Sequence, residues 1–245
     1  MDKHYTTEDV INGYNVIKEL GEGKYGIAYL GVNSLGERVV IKQLKNKMLR
    51  QSKKKSIYEA KVLKSLDNIR FPKFIGRFIY KGTKGYILEY IEGKTFAELL
   101  YKDHYELKRE EIYEIGSKLI EFVEILYENN IVHKDIRCAN VIQKENKELV
   151  LIDFGLARFV DNKKYTKDMD FWYISDFLIH LYYSSYRYSL DEERPWFEEL
   201  DLSKKEKFFL KSLMGIESKY KSIEKIKEDF EEIKKEYYSV IKIIK

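Results

Sequence analysis

The sequence predicts an α+β protein with two lobes, a small antiparallel β lobe that carries one helix and a larger, mainly α lobe. Apolar and polar residues alternate in the first part of the chain, which is the period of β-strands. Apolar residues then recur at helical spacing through most of the remainder. Strands are predicted over residues 14–20, 27–32 and 38–42, and helices over 52–66, 110–127 and 222–244.

Length and composition favour one compact catalytic unit. The chain has 245 residues, only two prolines and no Ser/Gly-rich linker between modules. Two-lobed folds around a cleft are common at this length. We therefore expect a single domain over residues 1–245, with a strand-rich lobe over 1–91 and a helical lobe over 92–245.

Three glycines, Gly21, Gly23 and Gly26, separate the first two predicted strands. Glycines let backbone N–H groups approach phosphate oxygens, but the same pattern opens dinucleotide-binding βαβ units and occurs in ordinary hairpins. A dinucleotide-binding unit needs a helix directly after the glycines, whereas residues 27–32 are β-prone and lead through a turn into the strand that ends at Lys42. The sequence therefore predicts a β-meander with the glycines at a hairpin tip.

Two motifs with polar residues follow the helix predicted over residues 110–127. They are H-K-D-I-R-C-A-N over residues 133–140 and D-F-G over residues 153–155. These motifs resemble the H-R-D-L-x-x-x-N and D-F-G signatures of the protein kinase family. The upstream G-x-G-x-x-G motif, Lys42 after a short apolar strand and Glu59 on a helix occur in the order that this family shows. The resemblance extends from Gly21 to the last helices, and it implies a bilobal protein-kinase-like fold.

The resemblance implies that the chain binds ATP. Lys42 would contact the α- and β-phosphates, and Glu59 would pair with its amine. Taken alone, Lys42 is typical of a strand-end surface lysine and Glu59 of a solvated helix carboxylate, but the preceding glycine motif and the following helix favour the phosphate-binding interpretation of Lys42. The residues implied in nucleotide binding are Gly21, Gly23, Gly26, Ala28, Lys42, Glu59 and, at the hinge between the lobes, Glu89 and Ile91.

The resemblance also implies a magnesium-dependent transfer step. Asp135 would act as base or orienting acceptor for the attacking hydroxyl, and Arg137 would offset charge on the transferring phosphoryl group. Asn140 and Asp153 would bind Mg²⁺. Taken singly, Asp135 and Asp153 are also typical loop or turn aspartates, but their order and separation relative to the upstream motifs favour the catalytic interpretation.

Two departures from the family pattern bear on function. Lys134 replaces the arginine of the H-R-D triplet and lacks the bidentate fork that binds a phosphorylated residue, so we do not expect activity to be switched by loop phosphorylation. If residues 170–175 are the start of the helix that anchors the large lobe, the segment between Gly155 and this helix contains only residues 156–169. It has no A-P-E triplet. The platform that typical kinases use for a peptide substrate is thus predicted to be absent.

The function that fits these motifs is that of a minimal Ser/Thr protein kinase, an ATP- and Mg²⁺-dependent transferase acting on a protein hydroxyl. Three alternatives stay open. The short segment after Gly155 also suits a small-molecule kinase for a sugar or aminoglycoside. A pseudokinase serving as a nucleotide-binding scaffold is disfavoured by the intact motif residues. A kinase of the translation or tRNA-modification machinery would show salt-sensitive RNA binding.

Composition narrows the expected partners and location. The 45 basic residues are nearly balanced by 41 acidic residues, so the formal net charge of +4 does not predict nucleic-acid binding. The N-terminus lacks the apolar core of a signal peptide and no apolar run is long enough to cross a bilayer, so we expect a cytoplasmic protein without a membrane partner. Cys138 is the only cysteine, which excludes an intrachain disulfide. Abundant Lys, Ile and Tyr suit a bacterial or phage-associated source.

Overall fold

The computed structural model of the chain describes residues 4–23, 26–45, 55–187 and 194–244. These residues form two compact units. The first contains the described residues up to Gly93 together with Val150–Ala157, and the second contains Lys94–Leu149 and the described residues from Arg158 onward. The first unit has an antiparallel sheet and the second is mainly helical, so the predicted fold class is confirmed.

The first unit is built on a six-stranded sheet with one described helix. All neighbouring strands are antiparallel, in the order β1-β2-β3-β4-β6-β5. The strands are β1 (Val10–Ile11), β2 (Tyr14–Glu22), β3 (Gly26–Val32), β4 (Arg38–Leu44), β5 (Phe74–Tyr80) and β6 (Thr83–Glu89), and the helix is α1 (Lys55–Ser65). The meander predicted from the sequence is therefore present.

Strand register divides this sheet into two faces with different roles. Lys42 on β4 lies directly opposite Ala28 on β3 and Tyr86 on β6, so these three side chains share one face. Their neighbours in sequence point to the opposite face, which is covered by a cluster of buried aromatic and aliphatic residues. The cluster consists of Tyr5, Ile11, Val16, Ile27, Tyr29, Val39, Ile41, Phe78 and Ile87.

Helix α1 presents an apolar stripe to the first unit. Ala60, Leu63 and Leu66 are buried, as the helical spacing predicts. The predicted beginning of this helix near residue 52 and the side chain of Ile57 lie outside the described residues. The stripe fixes which side of the helix faces inward, and Glu59 lies beside it.

The second unit consists of helices around the long helix α2. Its helices are α2 (Arg109–Glu128), α3 (Phe171–Tyr183), α4 (Trp196–Glu199), α5 (Lys204–Met214) and α6 (Ile223–Ile244). Short strands β7 (Lys94–Thr95) and β9 (Val141–Gln143) form one antiparallel pair, and β8 (Ile131–Val132) and β11 (Arg158–Phe159) form another. Strand β10 (Leu149–Leu151) is divided between the two units.

Close packing of α2 against its neighbours forms the core of the second unit. Gly116 on α2 allows the ring of Phe230 on α6 to approach so closely that an added Cβ would lie 2.3 Å from its Cζ atom. Helix α2 ends at Glu128, Asn129 caps it, and Asn130 has a φ of 54° that turns the chain toward β8. Among the described residues, no helix combines the length and apolar character needed to cross a bilayer.

Candidate active site

The glycine motif lies at the tip of the β2–β3 hairpin. Gly21 pairs with Ala28, and the N–H group of Gly23 donates to the carbonyl of Gly26 at 2.9 Å. A Cβ atom at Gly26 would lie 2.3 Å from the carbonyl oxygen of Gln43, so only glycine fits between β3 and β4 there. At Gly21 an added Cβ would meet no atom of the described residues within 4 Å, so their packing does not require a glycine at that position.

The amine of Lys42 is the centre of a polar cluster in the first unit. Its Nζ atom lies 2.9 and 2.8 Å from the two carboxylate oxygens of Glu59 and 2.7 Å from Oδ1 of Asp153. The side chains of Lys42 and Glu59 are mostly buried, whereas that of Asp153 is 45 % exposed. The Lys42 side chain thus joins two carboxylates, the buried one of Glu59 and the solvent-accessible one of Asp153.

The surroundings keep the Lys42 amine charged. Burial alone lowers the pKa of Lys42, but the negative charges of Glu59 and Asp153 and the neighbouring Tyr86 together raise this pKa well above its usual value. The amine is therefore a permanent cation at neutral pH. Such a cation is suited to hold an anionic ligand such as a phosphate group.

Asp153 is held by its backbone as well as by Lys42. It has a φ of 58°, and its Oδ1 atom accepts a hydrogen bond from the N–H group of Gly155 at 3.3 Å. The next side chain, Phe154, is fully buried and packs edge-on against Phe71, with ring centroids 5.5 Å apart. The anchored ring fixes the turn that presents Asp153.

The predicted hinge residues lie at the end of β6 (Glu89) and two residues after it (Ile91). Glu89 is tied to Lys73 twice: its N–H group donates to the Lys73 carbonyl at 2.9 Å, and its carboxylate accepts from the Lys73 N–H group at 3.1 Å. The side chain of Ile91 is buried. This part of the chain therefore has a fixed backbone, which is the property that recognition of a base by backbone groups requires.

In the second unit, Asp135 is flanked by two of its predicted partners. The side-chain amide of Asn140 donates to Oδ2 of Asp135 at 2.8 Å and to its backbone carbonyl at 2.9 Å. Nε of Arg137 lies 3.3 Å from Oδ1 of the same carboxylate. The structure thus joins Asp135, Arg137 and Asn140 in one loop, with the carboxylate oriented from both sides.

A buried carboxylate beneath this loop fixes its backbone. Asp170 accepts hydrogen bonds from the backbone N–H groups of His133 and Lys134 at 2.8 and 2.7 Å. Burial raises the pKa of Asp170 to about 6, although the two N–H groups and the charge of Lys134 act in the opposite direction.

The segment of the second unit around residue 165, which contacts the H-K-D-I-R-C-A-N motif through Lys134, is ordered by its own side chains. Oδ1 of Asp161 accepts hydrogen bonds from the backbone N–H groups of Lys163, Lys164 and Tyr165 at 3.0, 2.8 and 2.8 Å. The ammonium group of Lys134 lies 4.8 Å from the centre of the Tyr165 ring. Tyr165 thereby links this segment to the residue that precedes Asp135.

Comparison with known families decides what these motifs are. The model of the protein kinase domain matches residues 14–192, which is more than half of the chain. The chain belongs to the protein kinase family. The kinase fold and the family predicted from the sequence are both confirmed.

Several curated kinases are similar to this one. The "Probable serine/threonine-protein kinase YbdM" of Bacillus subtilis is 34% identical over 224 residues, which cover 88% of this chain and 87% of that protein. A "Probable serine/threonine-protein kinase KIN1 homolog" of Encephalitozoon cuniculi is 27% identical over 66% of this chain and 30% of its own length. Human "Tyrosine-protein kinase Fer" is 30% identical over 65% of this chain and 19% of its own length.

The kinase motif residues fall into two groups, one in each unit. Lys42, Glu59 and Asp153 meet in the first unit, and Ala28 lies on the same sheet face as Lys42. Asp135, Arg137 and Asn140 meet in the second. Their roles in catalysis stay predictions.

One residue of the first group was missed by sequence reasoning. The hydroxyl of Tyr86 donates a hydrogen bond to Oε2 of Glu59. The sequence contains a signal for this contact, because Tyr86 and Lys42 occupy opposed positions on neighbouring strands. That signal can be recognised only once the register of β4 and β6 is known.

Proposed function

We propose that this kinase transfers the γ-phosphate of ATP, in the presence of Mg²⁺, to a serine or threonine hydroxyl of a protein. The observation that carries the proposal is that the Lys42 amine contacts the carboxylates of both Glu59 and Asp153. A charged amine held by a buried carboxylate and next to an accessible one suits the binding of a nucleotide phosphate and a metal ion. We propose the whole chain, with lobes over residues 1–91 and 92–245, as the catalytic domain.

The residues of the first unit are proposed to bind the nucleotide. The backbone of the hairpin tip at Gly21, Gly23 and Gly26 would approach the phosphates, and the permanent charge of Lys42 would hold them. Because no contact among the described residues demands glycine at position 21, close approach of a ligand is a sufficient reason for its presence. The remaining nucleotide-binding residues are proposed to be Ala28, Glu59, Glu89 and Ile91.

The donor chemistry fits magnesium. Asp153 offers a carboxylate that is 45 % exposed, and Asn140 offers an amide oxygen, because its nitrogen is already bonded to Asp135. Carboxylate and amide oxygens are ligands that Mg²⁺ accepts. Bound Mg²⁺ would neutralise charge on the phosphates, and Asn140 and Asp153 are the residues proposed to hold it.

The residues around Asp135 are proposed to orient the acceptor. The Asp135 carboxylate would accept the hydrogen bond of the attacking hydroxyl and take up its proton. The Asn140 amide and the Arg137 guanidinium hold both carboxylate oxygens, so the group is oriented before substrate arrives. The positive charge of Arg137 would offset charge that develops on the transferred phosphoryl group.

The Ser/Thr class of acceptor is supported by the relative that aligns over 88% of this chain, whose name states that class. A small-molecule acceptor is the second candidate function. It is favoured by the short segment between Gly155 and Asp170, which leaves few residues to support a peptide. The two candidates share the nucleotide site and differ only in the acceptor.

Transfer of radiolabelled phosphate from ATP with Mg²⁺ tests the proposal. Wild type and Asp153→Ala are compared, each alone and with a generic basic protein as acceptor. Label on protein serine or threonine in the wild type only would support the proposal. Label on tyrosine would change the acceptor class, and bound ATP with no label on protein would exclude these protein acceptors and require a panel of small alcohols.

A further inference from the structure

The strand position opposite Lys42 carries a tyrosine whose hydroxyl is bonded to Glu59. Tyr86 is 3% exposed, and its hydroxyl donates to Oε2 of Glu59. Lys42 and Tyr86 lie directly opposite each other on β4 and β6. One buried carboxylate on α1 thus accepts an ammonium group from one strand and a phenol hydroxyl from the next.

Packing alone does not explain the hydroxyl. Tyr86 is surrounded in its own strand by buried Gly85, Ile87 and Leu88, and a phenylalanine ring would fill the same space. A buried hydroxyl lowers stability unless it is hydrogen-bonded, so its presence at this position calls for its acceptor. Glu59 is that acceptor in the structure.

The two donors to Glu59 differ in how they can respond to a ligand. The Lys42 amine is shared between Glu59 and Asp153, and a bound phosphate would compete for it. The hydroxyl of Tyr86 is fixed to the sheet and does not change charge, because burial and the nearby Glu59 charge raise the pKa of Tyr86 well above its usual value. Tyr86 can therefore retain Glu59 while the amine changes partners.

We propose that Tyr86 is a positioning residue of this kinase, whose hydroxyl holds Glu59, and with it helix α1, in the place that directs the Lys42 amine. The effect on catalysis rests on the function proposed above. The effect on α1 does not, because it depends only on the contact between Tyr86 and Glu59. The two can therefore be tested separately.

The test replaces Tyr86 by phenylalanine and uses Tyr80→Phe as the matched control. Tyr80 belongs to the same unit, and its hydroxyl also donates to a carboxylate, that of Asp9, at 3.0 Å. Amide hydrogen exchange is measured for residues 58–65 of α1, together with the kcat and KM for ATP. We expect faster exchange in α1 and a kcat about tenfold lower for Tyr86→Phe, with KM within about threefold of wild type. Tyr80→Phe should leave both unchanged.

A double-mutant cycle determines whether Tyr86 acts through Glu59. Glu59→Met keeps the length of the side chain and removes its acceptor oxygens, so adding Tyr86→Phe to this variant should lower kcat little further. An equal loss from Tyr86→Phe in both backgrounds would overturn the proposal, and so would unchanged exchange in α1. If the wild type transfers no phosphate, the proposed function fails, while faster exchange in α1 of Tyr86→Phe would still support the contact that holds the helix.

Discussion

The carboxylate of Asp170 accepts a hydrogen bond at 2.7 Å from the backbone N–H group of Lys134, one residue before Asp135. Lys134 has a φ of 68°, in the left-handed region that residues with a Cβ atom seldom adopt. The same carboxylate also binds the preceding N–H group, that of His133. Asp170 therefore fixes a sharp bend at the point where the chain enters the proposed catalytic loop.

This relationship predicts a pH-dependent stability. Burial raises the pKa of Asp170 from 3.8 to about 6, so the folded protein favours the protonated carboxyl group. The protonated Asp170 side chain therefore contributes favourably to the free energy of unfolding. This contribution is fully present below the pKa that Asp170 has in the unfolded chain, and it is lost as the pH rises through about 6. We expect the stability of wild type relative to Asp170→Asn to fall by up to ~3 kcal/mol between about pH 4 and pH 6.

Urea unfolding at a series of pH values measures this difference. Asp168→Asn is the matched control, because the hydrogen bond from Lys219 lowers the pKa of Asp168 and the expected dependence has the opposite sign. The stability of wild type relative to Asp168→Asn should rise with pH. A wild-type advantage over Asp170→Asn that is constant or grows with pH would contradict the prediction.

Replacement of Asp135 by alanine is predicted to remove phosphoryl transfer without removing nucleotide binding. The carboxylate is held by Asn140 and Arg137 and is proposed to orient the acceptor hydroxyl rather than the nucleotide. We expect transfer to fall by at least about 100-fold, with the dissociation constant for ATP within about threefold of wild type. Single-turnover transfer and equilibrium nucleotide binding measure the two effects.

Asp103→Ala is the control for this variant, because Asp103 is a carboxylate of the same unit and pairs with Lys94 in a surface contact. It should transfer phosphate like wild type. Transfer at the wild-type rate by Asp135→Ala would exclude Asp135 from the mechanism.

Local sequence patterns were sufficient for much of the fold. The β-prone residues after Gly26 predicted a hairpin rather than a βαβ unit, and β2 and β3 form that hairpin. The helical spacing over residues 110–127 predicted α2, which spans Arg109–Glu128. These features depend on the period of neighbouring residues in the chain, which a sequence displays directly.

Contacts between distant residues could not be predicted in this way. The pairing of Lys42 with Glu59 was expected only from the family resemblance, and the hydroxyl of Tyr86 on the same carboxylate was not expected. Its position depends on the register between β4 and β6, which is set by the whole sheet. The acceptor role of Asp170 is a similar case, since it lies 36 positions after Lys134 in the sequence.

A buried ion pair in the second unit predicts a large loss of stability. The carboxylate of Glu206 accepts hydrogen bonds from Arg109 at 2.8 Å and from the hydroxyls of Tyr113 and Tyr182 at 2.8 and 3.2 Å. Removing Arg109 would leave this buried carboxylate without its cation. We expect Arg109→Met to lower the free energy of unfolding by about 3 kcal/mol.

Chemical unfolding tests this prediction, with Arg187→Met as control. Arg187 also pairs with a glutamate of the same unit, Glu106, but its side chain is 81% exposed. Its replacement should leave the free energy of unfolding nearly unchanged. An equal loss of unfolding free energy in the two variants would contradict the prediction, because burial of Glu206 would then not strengthen the dependence of stability on its ion pair.

The contacts of Tyr165 predict a kinase that is active without phosphorylation of the short segment between Gly155 and Asp170. Burial raises the pKa of the Tyr165 phenol, but a hydrogen bond from Arg158 and the charges of Lys164 and Lys134 outweigh it and lower the pKa. The unmodified ring thus already holds cations from both sides of the segment. We expect treatment with a phosphatase to leave the rate of transfer unchanged.

Two variants separate the contributions of the ring and the hydroxyl. In the wild type the Lys134 ammonium group lies 4.8 Å from the centre of the Tyr165 ring. Tyr165→Phe keeps this ring and loses the hydrogen bond from Arg158 to the hydroxyl. Tyr165→Ala loses both, so we expect it to expose residues 160–168 to proteolysis and to slow transfer more than Tyr165→Phe does. Transfer that increases when Tyr165 becomes phosphorylated would contradict the prediction, because the segment would then need the phosphate to reach its active arrangement.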